Sequence, residues 1–205
     1  SYQQYDLLQK FTWVQKPGVV HHLNIQLSNS SDINRYDRLT LMSGSKPRFA
    51  EWYYGPQFRL LAAYTLDLSK PTKYYDNARI IFAYQGIEES RIDRSFQQVN
   101  LNHRIEQLDI YTLNADFMRK RGAHEWRYGG EAYLNLVHST AFTKNIITGA
   151  QTPLDTRYPD GGSSMNGAAL YVSHTFELSD HLIMNDGIRL SQVGLQAQFN
   201  DQLFF

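Results

Sequence analysis

From residue 126 to residue 136 the chain alternates in character. Trp126, Tyr128, Ala132, Leu134 and Leu136 take one set of positions, and Arg127, Glu131, Tyr133 and Asn135 take the other. Neighbouring side chains on a strand point to opposite faces, so a period of two predicts a strand with one apolar and one polar face. The same pattern recurs along the chain as hairpins. In the first, Tyr5, Leu7, Phe11 and Trp13 share a face, with Gln9 the exception, and Val19, His21, Leu23, Ile25 and Leu27 follow a turn at Lys16-Pro17-Gly18. Proline presets φ there and glycine supplies φ > 0. The second hairpin sets Phe58, Leu60, Ala62, Tyr64 and Leu66 before a turn over residues 69–76, and Ala78, Ile80, Phe82 and Tyr84 after it. The third joins Tyr111, Leu113, Ala115 and Phe117 to the strand at 126–136 across a turn at 119–124. The fourth sets Ala168, Leu170, Val172 and Phe176 against Leu182, Met184, Ile188 and Leu190 around a tight turn at 178–181.

About eight strands result, with long polar loops expected over residues 28–49 and 86–104. Each apolar run is about nine to eleven residues, the length a tilted strand needs to cross the hydrocarbon layer. Short connections alternate with long ones, and Trp13, Tyr74, Tyr75 and Trp126 lie at strand ends, where amphipathic rings favour the headgroup level. A soluble sandwich also alternates. The combination with polar inner faces points instead to an all-β fold of antiparallel transmembrane β-barrel strands, with residues 1–205 forming part of one barrel domain. The short turns are then expected at the periplasmic end and the long loops outside.

Composition agrees with this reading and removes several alternatives. The 20 basic and 20 acidic residues balance, so no net charge draws the chain to nucleic acid. Tyrosine is abundant at 14 and phenylalanine at 11, while only 42% of residues are hydrophobic, as expected when half of each strand faces water. The absence of cysteine excludes disulfides, thiolate metal sites and cysteine nucleophiles. No run approaches the roughly 20 apolar residues of a membrane helix, and residue 1 opens no signal peptide, so an exported protein is represented here by an internal or processed piece.

Arg59, Arg79, Asp116, Arg127, Glu131, Glu177 and Arg189 are expected on the inner face, as cross-strand pairs in a wet lumen or as contacts to a plug or solute. Consecutive His21 and His22 point to opposite faces, and His103, His124, His138, His174 and His181 lack ligand spacing, so neither metal nor cofactor is assigned. Ser90 and Ser139 with His103 and His138 raise a hydrolase, but no Gly-x-Ser-x-Gly elbow accompanies them and no catalytic residue is assigned. The substrate-binding candidates sit in the expected outer loops, where rings and charges concentrate: Arg35, Tyr36, Trp52, Tyr53, Tyr54, Arg157, Tyr158 and Asp160.

Several strings carry a resemblance. Asn34-Arg35-Tyr36-Asp37-Arg38-Leu39, Ala50-Glu51-Trp52-Tyr53-Tyr54-Gly55-Pro56-Gln57, Glu88-Glu89-Ser90-Arg91, Tyr128-Gly129-Gly130-Glu131, Thr156-Arg157-Tyr158-Pro159-Asp160-Gly161-Gly162-Ser163 and Gly187-Ile188-Arg189 resemble the barrel of TonB-dependent outer-membrane receptors, particularly those for haem and iron chelates. The short strand strings are generic to such barrels; the loop strings are more specific. The resemblance implies a 22-stranded barrel in the bacterial outer membrane, filled by an N-terminal plug. It also implies import of an iron chelate or haem, driven by the TonB complex acting through that plug. Neither plug nor TonB box is visible here, so the chain corresponds to a section of such a barrel. Membrane lipid, the solute and a surface lipoprotein are the further partners it implies. No ligand residue is carried over, because those differ between substrates.

Two other classes stay open on the sequence. An independent eight-stranded barrel with a structural or adhesive role would close on the same strands, and Phe204-Phe205 resembles a terminal assembly signal, although Asn200-Asp201 interrupts the final alternation. A barrel hydrolase would need serine, histidine and a carboxylate or amide to converge on the outer rim.

Overall fold

The computed structural model describes residues 1–200. Phe204-Phe205 and Asp201, invoked above, lie outside the described residues. In chain order the elements are β1 (Gln4–Lys16), β2 (Val19–Ser30), β3 (Ile33–Asn34), α1 (Tyr36–Leu39), β4 (Met42–Ser43), β5 (Lys46–Pro47), β6 (Phe49–Tyr54), β7 (Phe58–Leu68), β8 (Asn77–Ser95), β9 (Asn100–Arg121), β10 (His124–Asn145), β11 (Gln151–Pro153), β12 (Ser163–Ser179) and β13 (Leu182–Ala197). The long strands form one antiparallel meander in the order β1-β2-β7-β8-β9-β10-β12-β13, with β1 and β13 as its edges. This is the expected set of eight.

The register decides the faces. One row across the sheet reads Phe11, Leu23, Tyr64, Phe82, Leu113, Ala132, Ala168 and Gln192, nearly all apolar. The row beside it, on the opposite face, reads Thr12, His22, Thr65, Ile81, Asn114, Glu131, Ala169 and Ser191. Leu60, Ala62, Phe82, Leu113, Leu134 and Leu170 therefore share one face, and Arg59, Asn114, Glu131 and Tyr133 share the other. Among the described residues the buried apolar side chains are only Trp52, Ala78, Ala83, Ile92 and Ala169, so the sheet encloses no core of its own. Leu170, Ile188 and Leu190 stand about 70% exposed on the apolar face. A continuous apolar face without a covering layer matches a barrel wall solvated by lipid, and not a sandwich half.

At the short-turn end the apolar face carries rings. Trp13 stacks on His21 at 4.8 Å between centroids, Phe117 on Tyr128 at 5.4 Å, and Trp126 on His174 at 4.0 Å, while Tyr75 lies 5.8 Å from Phe117. The turns themselves follow the local chemistry, with Gly18 at φ 80° in the Pro17-Gly18 turn. The third turn is tighter than expected, only Gly122 and Ala123 separating β9 from β10.

The expectation of a loop over residues 86–104 is corrected: β8 continues to Ser95 and β9 starts at Asn100. The strands outrun their apolar stretches of about nine to eleven residues, the eight long ones spanning 11 to 22 residues. Beyond the apolar belt both faces meet water, so hydrophobic alternation disappears while the hydrogen-bonded ladder persists. Glu88 and Ser90 point out and Glu89 and Arg91 point in along one unbroken strand. The span 28–49 is likewise only partly loop, holding the end of β2, the single-turn α1 and a small β4–β5 hairpin.

Candidate functional site

The sheet extension past the belt creates a wall on the inner face, and most of the notable charge chemistry sits there. Cross-strand neighbours on this wall are Glu89 and Glu106, then Arg91 and Arg104, then Asp93 and Asn102. Like charges face each other directly, an arrangement that destabilises a ladder unless outside partners compensate. Those partners come from neighbouring strands and loops. Arg59 reaches Glu89 at 3.2 Å, Arg104 reaches Asp93 at 3.2 Å, and Arg157 approaches Glu106 at 3.8 Å.

Above β7 its place beside β8 is taken by β6, whose Tyr54 pairs with Arg91 and whose Trp52 pairs with Asp93. Trp52 is 8% exposed and is surrounded by guanidinium groups: Arg35 at 5.3 Å, Arg91 at 5.6 Å and Arg38 at 6.0 Å from the ring centroid. Arg35 donates to the Tyr54 hydroxyl at 2.7 Å and clasps Asp37 with Nε and Nη2 at 2.7 and 2.6 Å. That clasp holds the Asp37 carboxyl down to about 2 and raises Arg35 above its ordinary value. Glu106 moves the other way: burial raises it, opposed by Arg157 and Arg91. Arg91 Nε, Glu106 Oε1 and Ser139 Oγ are buried without a hydrogen-bond partner.

The eight candidates divide accordingly. Arg35, Trp52 and Tyr54 are brought together, and Trp52, Tyr53 and Tyr54 belong to strand β6, which corrects their placement in a loop. Strand alternation separates Tyr53, which pairs with Ile92 on the outer face and is raised in pKa chiefly by burial. Tyr36 is 63% exposed on α1. Arg157 lies 5.9 Å over the Tyr158 ring, so those two stay in the long β11–β12 connection together with Asp160, which accepts from the Asn200 amide at 2.8 Å. Arg91, Glu106 and Arg38 were missed as candidates. The sequence presents Glu88-Glu89-Ser90-Arg91 as a string, but only the register shows that Arg91 and Glu106 point into one space.

The histidines follow the faces. His22 meets Asp67 at 3.2 Å on the inner face while His21 bonds Tyr64 at 2.7 Å on the outer. His124 and His174, fifty residues apart, approach to 2.9 Å through the β10–β12 register. Among the described residues no three metal-ligating side chains gather. Ser139 points inward opposite Glu106, whereas His138 pairs with Gln107 and His103 with Ile92, both on the outer face. A hollow of about 930 Å³ between Leu113, Phe117, Tyr128, Leu170 and Leu190 opens on the lipid-side face.

Neither a protein-family model nor a curated protein matches the sequence. Among solved structures, the copper transporter OprC superposes with a TM-score of 0.68 at 9% sequence identity, over 96% of this chain. At that identity the likeness concerns the fold. The chain spans 29% of the length of that transporter.

Proposed function

We propose that the chain is a section of the wall of an outer-membrane import receptor of the TonB-dependent kind, taking up an iron chelate or haem by binding and gating, without chemistry on the solute. The observation that carries this reading is the two-faced sheet: an uncovered apolar face along the belt, and an inner charged face that continues past it toward the long connections. A lipid-facing wall with a wet interior is what a transport barrel requires. The fold shared with a transporter over 96% of the chain supports the same class. That neighbour's name specifies copper, so copper stands beside iron chelates among the solutes to be tested. Coupling to TonB would pass through a plug that this section does not contain.

The test uses the full-length gene. Growth on defined haem, ferric-chelate and copper sources, with and without TonB, should show dependence on both the receptor and TonB for one of them. Growth unaffected by loss of either would remove the transport reading. The independent-barrel alternative is favoured by no observation, because β1 and β13 do not pair with each other.

A further inference from the structure

Six guanidinium groups, those of Arg35, Arg38, Arg59, Arg91, Arg104 and Arg157, line the inner wall above the belt, against the carboxylates of Asp37, Glu89, Asp93 and Glu106. The cations are therefore in excess. Arg35 is committed to Asp37 and Tyr54, and Arg104 to Asp93. Arg91 has no ion pair and no side-chain hydrogen bond among the described residues, and its Nε is buried. What holds it is the ring of Trp52 at 5.6 Å and that of Tyr54 at 5.9 Å. A buried donor on a charged group left without an acceptor is costly, and native structures supply one.

The ring itself cannot be the binding surface. Trp52 is almost wholly covered, so it serves as a platform that fixes the orientation of Arg35, Arg38 and Arg91. Guanidinium groups fixed in this way match the paired oxygens of carboxylate-like anions. The β8–β9 register turns Arg91 inward, on the face of Arg59 and Glu131, which separates it from lipid headgroups at the outer surface.

We infer that Arg91, which shares the Trp52 ring with Arg38, forms an anion-binding point for a solute carrying several carboxylate-type oxygens. The inference deepens the transport reading by naming the charge class of the solute. It predicts that the charge of a small probe, more than its shape, governs binding.

The experiment is equilibrium dialysis of the full-length protein in detergent with benzene-1,3,5-tricarboxylate and with the neutral tricarboxamide of the same outline. Saturable binding of the tricarboxylate, at least tenfold tighter than the tricarboxamide, is expected. Arg91→Gln and Arg38→Gln should each weaken it about tenfold, with Arg91→Lys retaining part of the affinity. Arg189→Gln, on the same face but paired with Glu131 at the far edge of the sheet, should leave it unchanged. Raising salt should weaken binding of the carboxylate alone. Equal binding of the two probes, no saturable binding of the tricarboxylate, or full affinity in Arg91→Gln would each overturn the site. Heat-modifiable mobility of every variant reports its folding. Because dialysis involves neither TonB nor uptake, failure here with transport intact sinks the site alone, while loss of the growth phenotype sinks the transport reading.

Discussion

Glu106 shows how one side chain records its surroundings. Its side chain is 11% accessible, one oxygen lacks a partner, and Arg157 stands 3.8 Å from the other. Burial raises its pKa, while Arg157, Arg91 and Arg104 pull it down and Glu89 pushes it up. For an acid with a raised folded pKa, the folded state holds the proton more tightly than the unfolded chain. Stability is then present below the ordinary glutamate range and lost as pH rises through the folded value. Glu106→Gln should therefore flatten the dependence of thermal midpoint on pH between mildly acidic and neutral conditions. Asp37 runs oppositely: its clasp by Arg35 holds its carboxyl down to about 2, so its contribution is constant across that window and is lost only in stronger acid. Differential scanning calorimetry of the two proteins at matched pH checks this, and parallel curves would mean that Glu106 ionises without cost.

At the level of elements, each strand must keep its two faces apart. Leu134 and Leu170 point to lipid, and an arginine there costs roughly 2–4 kcal/mol in a barrel wall. Glu131 faces the lumen and pairs with Arg189 between side chains that are 40% and 49% exposed, so Glu131→Gln should cost about 0–1 kcal/mol. Urea titrations of folding in lipid vesicles should separate the two kinds of variant clearly. Equal losses would contradict the orientation. The β11–β12 connection is the other testable element. Gly161 donates to Gln198 and Gln198 to Gly162, which ties the connection to the end of β13, while Arg157 leans on Glu106. Deleting residues 157–162 from the full-length protein should lower solute affinity yet leave heat-modifiable folding intact, since no ladder bond of the β10–β12 pair lies in that stretch. Unchanged affinity would make the segment a connector only.

For the whole molecule the decisive feature is its pair of edges. Among the described residues no strand pairs with the outer side of β1 or of β13, and a backbone polar group left unsatisfied in hydrocarbon costs several kcal/mol. Residues 1–205 expressed alone should therefore fail to gain a heat-modifiable form in phosphatidylcholine vesicles, whereas the full-length protein gains it. A shifted band for the segment alone would restore the small independent barrel. The prediction follows from the sheet's two open ladders and not from any single residue.

The alternation of side chains determined much of this by itself. Period two placed eight strands, assigned Leu134, Phe82 and Glu131 to their faces, and marked the turns at Pro17-Gly18 and Gly122, because a strand's faces and a turn's φ are local properties. It could not mark where strands end. Above the belt both faces are wet, so β8 and β9 looked like a polar loop although their ladder continues. Nor could it show which distant residues meet. Arg35, Trp52 and Arg91, or His124 and His174, come together only through pairings between separate strands, and those are set by the register of the whole sheet. Local pattern therefore determined the wall, and tertiary pairing decided what the wall presents to a solute.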